Sequence, residues 1–504
     1  MVPETVSHFI GGKHVHSTLR KTYGVTDPAT GKEYAQVEVG LGADINQAVL
    51  AARGALETGP WPGMPAAGRA GVLSAIADEI GARAGDIAAA EALGPGLPVT
   101  QSQEQAAQAG DIFRRAAELI SEQAADGLSV APGQPGHVLA RPAGVAGLIT
   151  SWRAPFLSQA RAVAPALAAG CSIVLKPDEW APMPAVLLEE ITTAAGLPGG
   201  VLNIVHGSLH RKALGAQARD AMISHPSVAR LSFAGPAADA EQVTLQAGPH
   251  GKVLCVEPVG PSPGLVFADA DLDQALDGAL FGAFALNGHR RTATSTILVE
   301  RPVYDTFVSR FAKRAGRIRV GDPADPATEL GPLPHADHYD KLSAFVRLGR
   351  REGARLAAGG QRPASLPEGN YLAPTVLANV TPAMEIFTGL LCGPVVRVTP
   401  FDSDEEAVSL ANSAANTGAN TGANTVPALT AAYIWTSDLQ RAQRLAPAID
   451  AATTWVNSHN PQDLQAKSAG RPGADAVRGG IGFFTHSRTV LIAADGTPVP
   501  RFGA

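Results

Sequence analysis

The sequence predicts an α/β protein in which a doubly wound parallel sheet is followed by a second α/β unit. Apolar segments of strand length alternate with helical segments between residues 145 and 257. The predicted strands are residues 145–149, 172–176, 201–205, 230–233 and 253–257. A second alternating series runs from about residue 270 to about residue 456. Such alternation is typical of parallel sheets, whose ligands bind beyond the carboxyl ends of the strands.

Ahead of the sheet, apolar residues recur at helical spacing from about residue 44 to residue 126. Residues 67–82 and 102–125 are the clearest of these predicted helices. Later in the chain, residues 415–425 repeat Ala-Asn-Thr with intervening glycines. Asparagine, threonine and glycine favour turns, so we predict a surface loop, with a lid or a partner contact as the alternative.

Composition limits the classes of function. The 504 residues are 45% hydrophobic and 17% charged, which predicts large cores and two or more domains. A formal net charge of -6 gives no reason to expect binding to nucleic acid or to an anionic membrane. No apolar run is long enough for a membrane span, and the first residues do not resemble a signal peptide. A cytoplasmic protein is expected.

Cysteine and histidine are too scattered to predict a metal site. The three cysteines, Cys171, Cys255 and Cys392, form neither a disulfide framework nor a paired metal motif. The 13 histidines are dispersed as well. We therefore expect no bound metal and a reducing environment.

Short motifs occur in a fixed order along the whole chain. The main ones are Ser151-Trp152-Arg153-Ala154-Pro155, Lys176-Pro177-Asp178-Glu179, Phe233-Ala234-Gly235-Pro236, Glu257-Pro258-Val259-Gly260, Asn287-Gly288-His289-Arg290-Arg291-Thr292-Ala293 and Gly393-Pro394-Val395. This order resembles the aldehyde dehydrogenase superfamily, whose patterns read P-W-N-x-P, K-P-S-E, F-T-G-S, E-L-G-G, N-x-G-Q-x-C-T and E-I-F-G-P.

The resemblance implies a division into domains. Residues 1–128 and 147–258 would form a Rossmann-like dinucleotide-binding domain, and residues 259–460 an α/β catalytic domain. Residues 129–146 and 478–504 would form a β-arm that pairs between subunits. An unpaired terminal strand at about residues 489–494 would seek a partner, so we expect a homodimer or homotetramer, or a mixed assembly with an active relative.

The resemblance also implies catalysis by a cysteine thiolate, an oxyanion donor and a general base. Counted back from Val299-Glu300, the cysteine position is occupied by Arg291, whose guanidinium stays protonated and cannot be a nucleophile. The oxyanion asparagine is replaced by Arg153. The general base is retained as Glu257, whose other interpretation is a structural carboxylate.

Two interpretations of the arginines remain open. A salt bridge from Arg153 or Arg291 would lower the pKa of Glu257 and make it a poorer base. Alternatively, Arg153, Arg290 and Arg291 could form a cup for a carboxylate or phosphate.

Cys392 is the candidate for a relocated thiol. It stands at the phenylalanine position of E-I-F-G-P, beside the expected nicotinamide. Cys255 shares a strand face with Glu257, one repeat further from the strand end, and Cys171 precedes a buried strand. The alternative for all three is a buried small apolar side chain.

The cofactor site implied by the resemblance is partly altered. The positions that would contact NAD are Ile149, Trp152, Lys176, Glu179, Gly207, Phe233, Gly235, Pro236 and Leu390. Lys176 and Glu179 would hold the adenosine ribose, and the Glu179 carboxylate would favour NAD over a 2′-phosphate. Pro236 lacks the N–H and hydroxyl expected at a pyrophosphate. Leu390 replaces a glutamate that would bind a ribose, so a weakened NAD site is expected.

Two functions follow from these positions. The first is a non-catalytic subunit or small-anion binder with the aldehyde dehydrogenase fold. The alternative is an active NAD(P)-dependent oxidoreductase that uses Cys392, or that passes hydride without a covalent intermediate while Glu257 deprotonates an aldehyde hydrate. No serine or histidine triad is evident, which leaves a hydrolase or transferase weakly supported.

Overall fold

Two seven-stranded sheets form the framework of the protein. The computed structural model describes residues 3–123, 129–131, 134–207, 217–388, 392–413, 429–459, 477–491 and 502. The α/β class and the parallel sheets predicted from the sequence are confirmed. The domain boundaries given above remain a prediction.

The first sheet carries the cleft described below. Its strands, in spatial order, are β12 (Val253–Val259), β11 (Val228–Pro236), β8 (Val145–Ile149), β9 (Ser172–Lys176), β10 (Leu202–Ile204), β2 (His8–Ile10) and β3 (Lys13–Val15). Strands β8 to β12 are parallel, whereas β2 and β3 are antiparallel additions. Every residue of β8 and β9 is buried, as expected for strands covered on both faces.

The second sheet is parallel except at one edge. Its strands, in spatial order, are β15 (Arg355–Ala358), β16 (Thr375–Ala378), β17 (Val395–Phe401), β14 (Thr296–Glu300), β13 (Pro263–Val266), β18 (Ala432–Trp435) and β19 (Thr454–Val456). Among these described strands, only the pairing of β15 with β16 is antiparallel.

Helices pack against both sheets. They are α1 (Gly42–Glu57), α2 (Ala66–Ala82), α3 (Ala84–Leu93), α4 (Val99–Gln123), α5 (Pro155–Ala168), α6 (Met183–Ala194), α7 (Gln217–Ser224), α8 (Ala237–Ala247), α9 (Leu272–Phe284), α10 (Arg301–Ala315), α11 (Ala336–Glu352), α12 (Asp404–Ser413), α13 (Leu439–Leu445) and α14 (Val477–Phe483). Helices α2 and α4 match the two clearest helical predictions to within a few residues.

Two small sheets complete the described fold. One contains β1 (Thr5–Val6), β5 (Glu33–Glu38) and β4 (Thr22–Thr26), and the other contains β20 (Thr485–Leu491), β7 (Gln134–Pro142) and β6 (Ser129–Ala131). The expectation of an unpaired terminal strand is wrong, because β20 pairs antiparallel with β7 of the same chain. Within this sheet β20 nevertheless occupies an edge.

Two predicted strand ends are also wrong. The strand predicted to end at Phe233 continues to Pro236, the last residue of β11, which directly precedes α8. Glu257 was expected to end its strand, but β12 continues to Val259. β12 lies at the edge of its sheet, where a proline such as Pro258 is tolerated because one side of the strand needs no ladder donor.

A close backbone approach joins the loops before β14 and β17. Gly288 has φ +69°, and a Cβ built on it would overlap the carbonyl oxygen of Gly393. Only glycine adopts this backbone region without strain and leaves room for the neighbouring carbonyl. The contact sets the separation of the two loops.

We predict that Gly288→Ala lowers the free energy of unfolding by about 2–4 kcal/mol, because it adds left-handed backbone strain and overpacking. Gly71→Ala is the matched control: Gly71 lies inside α2 with nothing near its Cβ position. The control should be neutral or stabilising by up to about 1 kcal/mol. Urea unfolding of both variants measures this, and equal stability would contradict the role assigned to Gly288.

Candidate active site

The cleft lies where the strand order of the first sheet reverses. From β8 the chain proceeds through β9 and β10 on one side, whereas β11 and β12 lie on the other. Such switch points open a crevice at the carboxyl ends of the strands. A cavity of about 340 Å³ is found there. Its lining includes Ile149, Thr150, Trp152, Arg153, Asp178, Trp180, Arg219, Phe233, Ala234, Gly235, Pro236, Asp239, His335, His338, Lys341 and Cys392.

The turn after β8 delivers Trp152 and Arg153 to the cleft. Ala154 has a left-handed φ of 40° and Pro155 begins α5, so the chain reverses sharply between strand and helix. Proline suits the first helical position because its fixed φ is already helical. The backbone N–H of Arg153 donates to the Ser151 hydroxyl at 3.2 Å, which closes the turn.

Asn287 fixes the loop that leads into β14. Its side-chain amide donates to the carbonyl oxygens of Gly96 at 2.8 Å and Pro332 at 3.1 Å, and its Oδ1 accepts from Gly331 N–H at 2.7 Å. Asn287 is fully buried and has φ 58°. Asparagine is among the few residues that tolerate this conformation. These hydrogen bonds therefore fix the position of the loop segment that carries His289, Arg290 and Arg291.

Three polar side chains meet around Trp152. The Trp152 ring meets His289 edge-on at 4.7 Å and His338 at 5.6 Å between ring centroids. Ligand-type atoms of His289, His338 and Cys392 all lie within 4.8 Å of one another. His338 Nε2 also donates to the Cys392 carbonyl oxygen at 2.5 Å.

Burial governs the protonation of this cluster. It lowers the pKa of His338 to about 4, with further lowering from Arg153 and Lys341, while the bond to the Cys392 carbonyl raises it. Burial also holds the pKa of His289 well below its ordinary value, with His338, Arg153 and His335 acting in the same direction. Both imidazoles are therefore neutral at pH 7, with a lone pair available on each ring.

Cys392 is buried at 9% exposure and is held by opposing influences. Burial raises the pKa of its thiol, whereas the positive charge of Arg153 and a hydrogen bond from that side chain lower it. Arg153 lies against Trp152, with 5.4 Å from Cζ to the ring centroid. The relocated thiol predicted from the sequence thus lies in the cleft beside a cation and two neutral imidazoles.

The other two cysteines lie elsewhere. Cys171 is fully buried, donates to the Phe484 carbonyl at 3.2 Å, and has its pKa raised to about 11 by burial. Cys255 is buried in the middle of β12. Neither lines the cleft described above.

The three arginines fall into two groups. The positive charge of Arg153 lowers the pKa values of His289, His338 and Cys392. Arg290 instead stacks over Phe281, with Cζ 4.5 Å from the ring centroid. The charges of Arg290 and Arg291 both lower the pKa of Tyr433. This grouping does not favour a single anion-binding cup made by all three arginines.

Tyr433, beside Arg290 and Arg291, is held by two contacts. Its hydroxyl donates to the Thr292 carbonyl at 2.8 Å, and its ring stacks on His459 at 3.9 Å. Burial raises the pKa of this phenol, while Arg290 and Arg291 lower it.

Glu257 lies in β12 and is half-buried, paired in register with Ala234 of β11. Ala234 lines the cavity, whereas Glu257 is not among its lining residues. Its assignment as general base remains a prediction.

Five of the predicted dinucleotide residues line the cavity, namely Ile149, Trp152, Phe233, Gly235 and Pro236, whereas Lys176, Glu179 and Gly207 are not among its lining residues. Lys176 is fully buried, and its Nζ donates to the carbonyl oxygens of Pro177 and Gly207, both at 3.3 Å. Burial lowers the pKa of Lys176, while Asp178 and Glu179 raise it. A Cβ on Gly235 would meet the Phe233 ring at 2.6 Å, so a larger residue there would have to displace that ring. Ile149 and Phe233 supply apolar walls.

Four residues in or beside the cleft are not predicted from the sequence, namely His289, His335, His338 and Arg219. The histidines were treated as dispersed, yet residues from three separate segments of the chain converge. In the sequence, His289 follows Asn287-Gly288 and His335 follows Gly331-Pro332-Leu333, and these short glycine-containing segments are the signal that could have indicated them. Leu390 and the 415–425 repeat lie outside the described residues.

Comparison with known proteins gives a consistent result. The sequence profile described as the aldehyde dehydrogenase family matches residues 14–490. A curated relative, 5-carboxymethyl-2-hydroxymuconate semialdehyde dehydrogenase of Escherichia coli, is 38% identical over 466 residues, covering 91% of this chain and 94% of the relative. The 2-hydroxymuconic semialdehyde dehydrogenase of Pseudomonas sp. (strain CF600) is 33% identical over 97% of this chain and 99% of its own.

Solved structures agree with this match. HpcC from Thermus thermophilus superposes with a TM-score of 0.89 at 36% identity, covering 99% of this chain and 95% of that one. A betaine aldehyde dehydrogenase variant from Staphylococcus aureus, in complex with NAD⁺, gives a TM-score of 0.89 at 28% identity, covering 99% of both chains. In the described residues, no helix is both long and apolar enough to cross a membrane.

We predict that Arg153→Met moves the pH midpoint of Cys392 alkylation upward, because the thiolate loses a cation and a hydrogen-bond donor. Each unit of increase in pKa lowers the thiolate fraction about tenfold below the midpoint. Iodoacetamide labelling across a pH series measures this in a Cys171→Ser, Cys255→Ser background. Arg219→Met, a cation change in the same cavity, should leave the midpoint in place. A midpoint unmoved by Arg153→Met would exclude the contact.

Proposed function

The chain belongs to the aldehyde dehydrogenase family, and from this premise we propose that it oxidises aldehydes with NAD(P) and uses Cys392 as the nucleophile. One observation carries the proposal: the Cys392 thiol lies in the cleft with a hydrogen bond from Arg153 and two imidazoles within 4.8 Å. The names of the curated relatives, all dehydrogenases, favour this alternative over the non-catalytic protein that Arg291 suggests.

The proposed reaction begins at sulfur. A neutral imidazole of His289 or His338 accepts the thiol proton, and the thiolate attacks the carbonyl carbon to give a thiohemiacetal. Arg153 is the cation nearest the sulfur and would stabilise the developing oxyanion. When bound, NAD(P)⁺ supplies the acceptor for the hydride that leaves this carbon.

Hydrolysis completes the proposed cycle. Loss of hydride converts the thiohemiacetal to a thioester on Cys392. Glu257 would then take a proton from water as the water attacks the thioester carbon, which releases the carboxylic acid and regenerates the thiol. Overall, one aldehyde and one water give one acid, with two electrons passing to the cofactor.

The cofactor fits the adenosine side of the cleft better than the pyrophosphate side. Ile149 and Phe233 would flank the base, and Lys176 with Glu179 would contact the ribose. Pro236 offers no N–H before α8, so that helix provides one donor fewer to a phosphate. We therefore propose weak NAD(P) binding.

We also propose a substrate that carries a carboxylate. The two curated relatives described above are named for hydroxymuconic semialdehydes. The group formed by Arg290 and Arg291 beside Tyr433 provides guanidinium groups, which bind carboxylates in bidentate geometry.

A second candidate is a non-catalytic subunit or anion binder. Arg291 at the position of the family's cysteine favours it. An assembly as a homodimer or homotetramer, or one mixed with an active relative, is proposed in either case. The edge position of β20 supports it, because an edge strand can extend its sheet with a second chain.

We predict turnover of carboxylated aldehydes with NAD or NADP that falls at least about 100-fold in Cys392→Ala, because the covalent route loses its nucleophile. Cys255→Ser is the matched control and should retain the wild-type rate. Reduced cofactor, followed by absorbance in the purified protein, is the measurement.

Three other outcomes would separate the alternatives. Turnover retained in Cys392→Ala would indicate direct hydride transfer. If the protein shows no turnover and also no calorimetric binding of NAD at millimolar concentration, the non-catalytic candidate is established. In Glu257→Gln, an acyl adduct on Cys392 detected by mass spectrometry would support the thioester route.

A further inference from the structure

We propose that His289, His338 and Cys392 form a binding site for Zn²⁺ or a similar transition-metal ion. The three residues come from the loop before β14, from helix α11 and from the loop before β17, and their candidate ligand atoms lie within 4.8 Å of one another. This site does not depend on aldehyde oxidation by the protein. Metal binding and turnover can therefore succeed or fail separately.

His289 provides the second observation. It is only 1% exposed, and within the described residues neither ring nitrogen has a hydrogen-bond partner. A buried polar atom without a partner costs about 1–3 kcal/mol, and such atoms in folded proteins usually have a partner, a water or an ion. A metal ion placed between the three residues would satisfy one of these nitrogens.

The donor set matches the chemistry of zinc. Two imidazoles and one thiolate resemble catalytic zinc sites, which have three protein ligands and one open position. Ideal bonds of about 2.0–2.3 Å place ligand atoms roughly 3.5 Å apart, so side-chain movements of about 1 Å would close the site. The cavity beside Cys392 leaves room for water or a substrate oxygen at the fourth position.

The surroundings also prepare the ligands. His338 Nε2 donates to the Cys392 carbonyl, which leaves the lone pair of the neutral ring on Nδ1. A hydrogen bond of this kind commonly orients metal-binding histidines. Arg153 opposes the metal, because its charge is positive and its hydrogen bond occupies the sulfur.

Metal titration of the full-length protein, treated with EDTA and dialysed, tests the site without aldehyde or cofactor. Zinc competition against a chromophoric chelator should give one ion per chain. Affinity should fall at least about tenfold in His289→Ala and in Cys392→Ser, since changes even to residues that only orient ligands cost that much. His335→Ala, which changes a histidine of the same cavity outside the cluster, should bind zinc as the wild type does.

Two measurements on the unaltered ligand set guard against misfolded variants. Cobalt(II) should give a near-ultraviolet thiolate charge-transfer band, and zinc should protect Cys392 from iodoacetamide in the Cys171→Ser, Cys255→Ser background. A missing band together with unprotected labelling would overturn the site. Equal zinc affinity in His289→Ala, Cys392→Ser and wild type would do the same. Zinc binding with no aldehyde turnover would leave the metal site standing and remove the proposed function alone.

Discussion

The side chain of Asn287 is the constraint on which the cleft depends. Its three hydrogen bonds join the loop before β14 to the backbone at Gly96, Gly331 and Pro332. Residues 286 to 288 all have positive φ, a conformation that is unfavourable for leucine and tolerable for asparagine. The buried amide bonds offset this strain, because leaving any of these groups unpaired would cost about 1–3 kcal/mol. His289, Arg290 and Arg291 are positioned by this anchor.

A second loop is then held against the first. The contact between Gly288 and Gly393 brings Cys392 beside His289, and the bond from His338 fixes its carbonyl. Within this enclosure, burial and Arg153 act on the thiol in opposite directions. The same burial keeps both imidazoles neutral. The chemistry of the cleft therefore depends on which neighbouring group, Arg153 or one of the two imidazoles, interacts with the Cys392 sulfur.

Much of the fold could be predicted from the sequence, because continuous apolar runs such as those of β8 and β9 indicate strands that are buried on both faces. The turn with Trp152 and Arg153 could be placed for the same reason, since it follows a recognisable strand. The ends of β11 and β12 were not predictable, because strand ends depend on neighbouring strands, and edge strand β12 accepts Pro258. The convergence of His289, His338 and Cys392 was not predictable. Three distant segments supply it, and no local pattern encodes their contact.

Two loops that approach each other at Gly288 and Gly393 bring different side chains to this part of the protein. An arginine in the loop before β14 cannot attack a carbonyl, whereas the loop before β17 presents the Cys392 thiol to the cavity. The neighbours of that thiol are a guanidinium that favours the thiolate and two imidazoles that can accept a proton or a metal ion. A nucleophile needs the sulfur free, whereas a metal site needs it bound, so the two uses exclude each other at any instant. If both operate, occupancy of the cluster by metal would switch covalent chemistry off, and the cleft would respond to metal availability through Cys392.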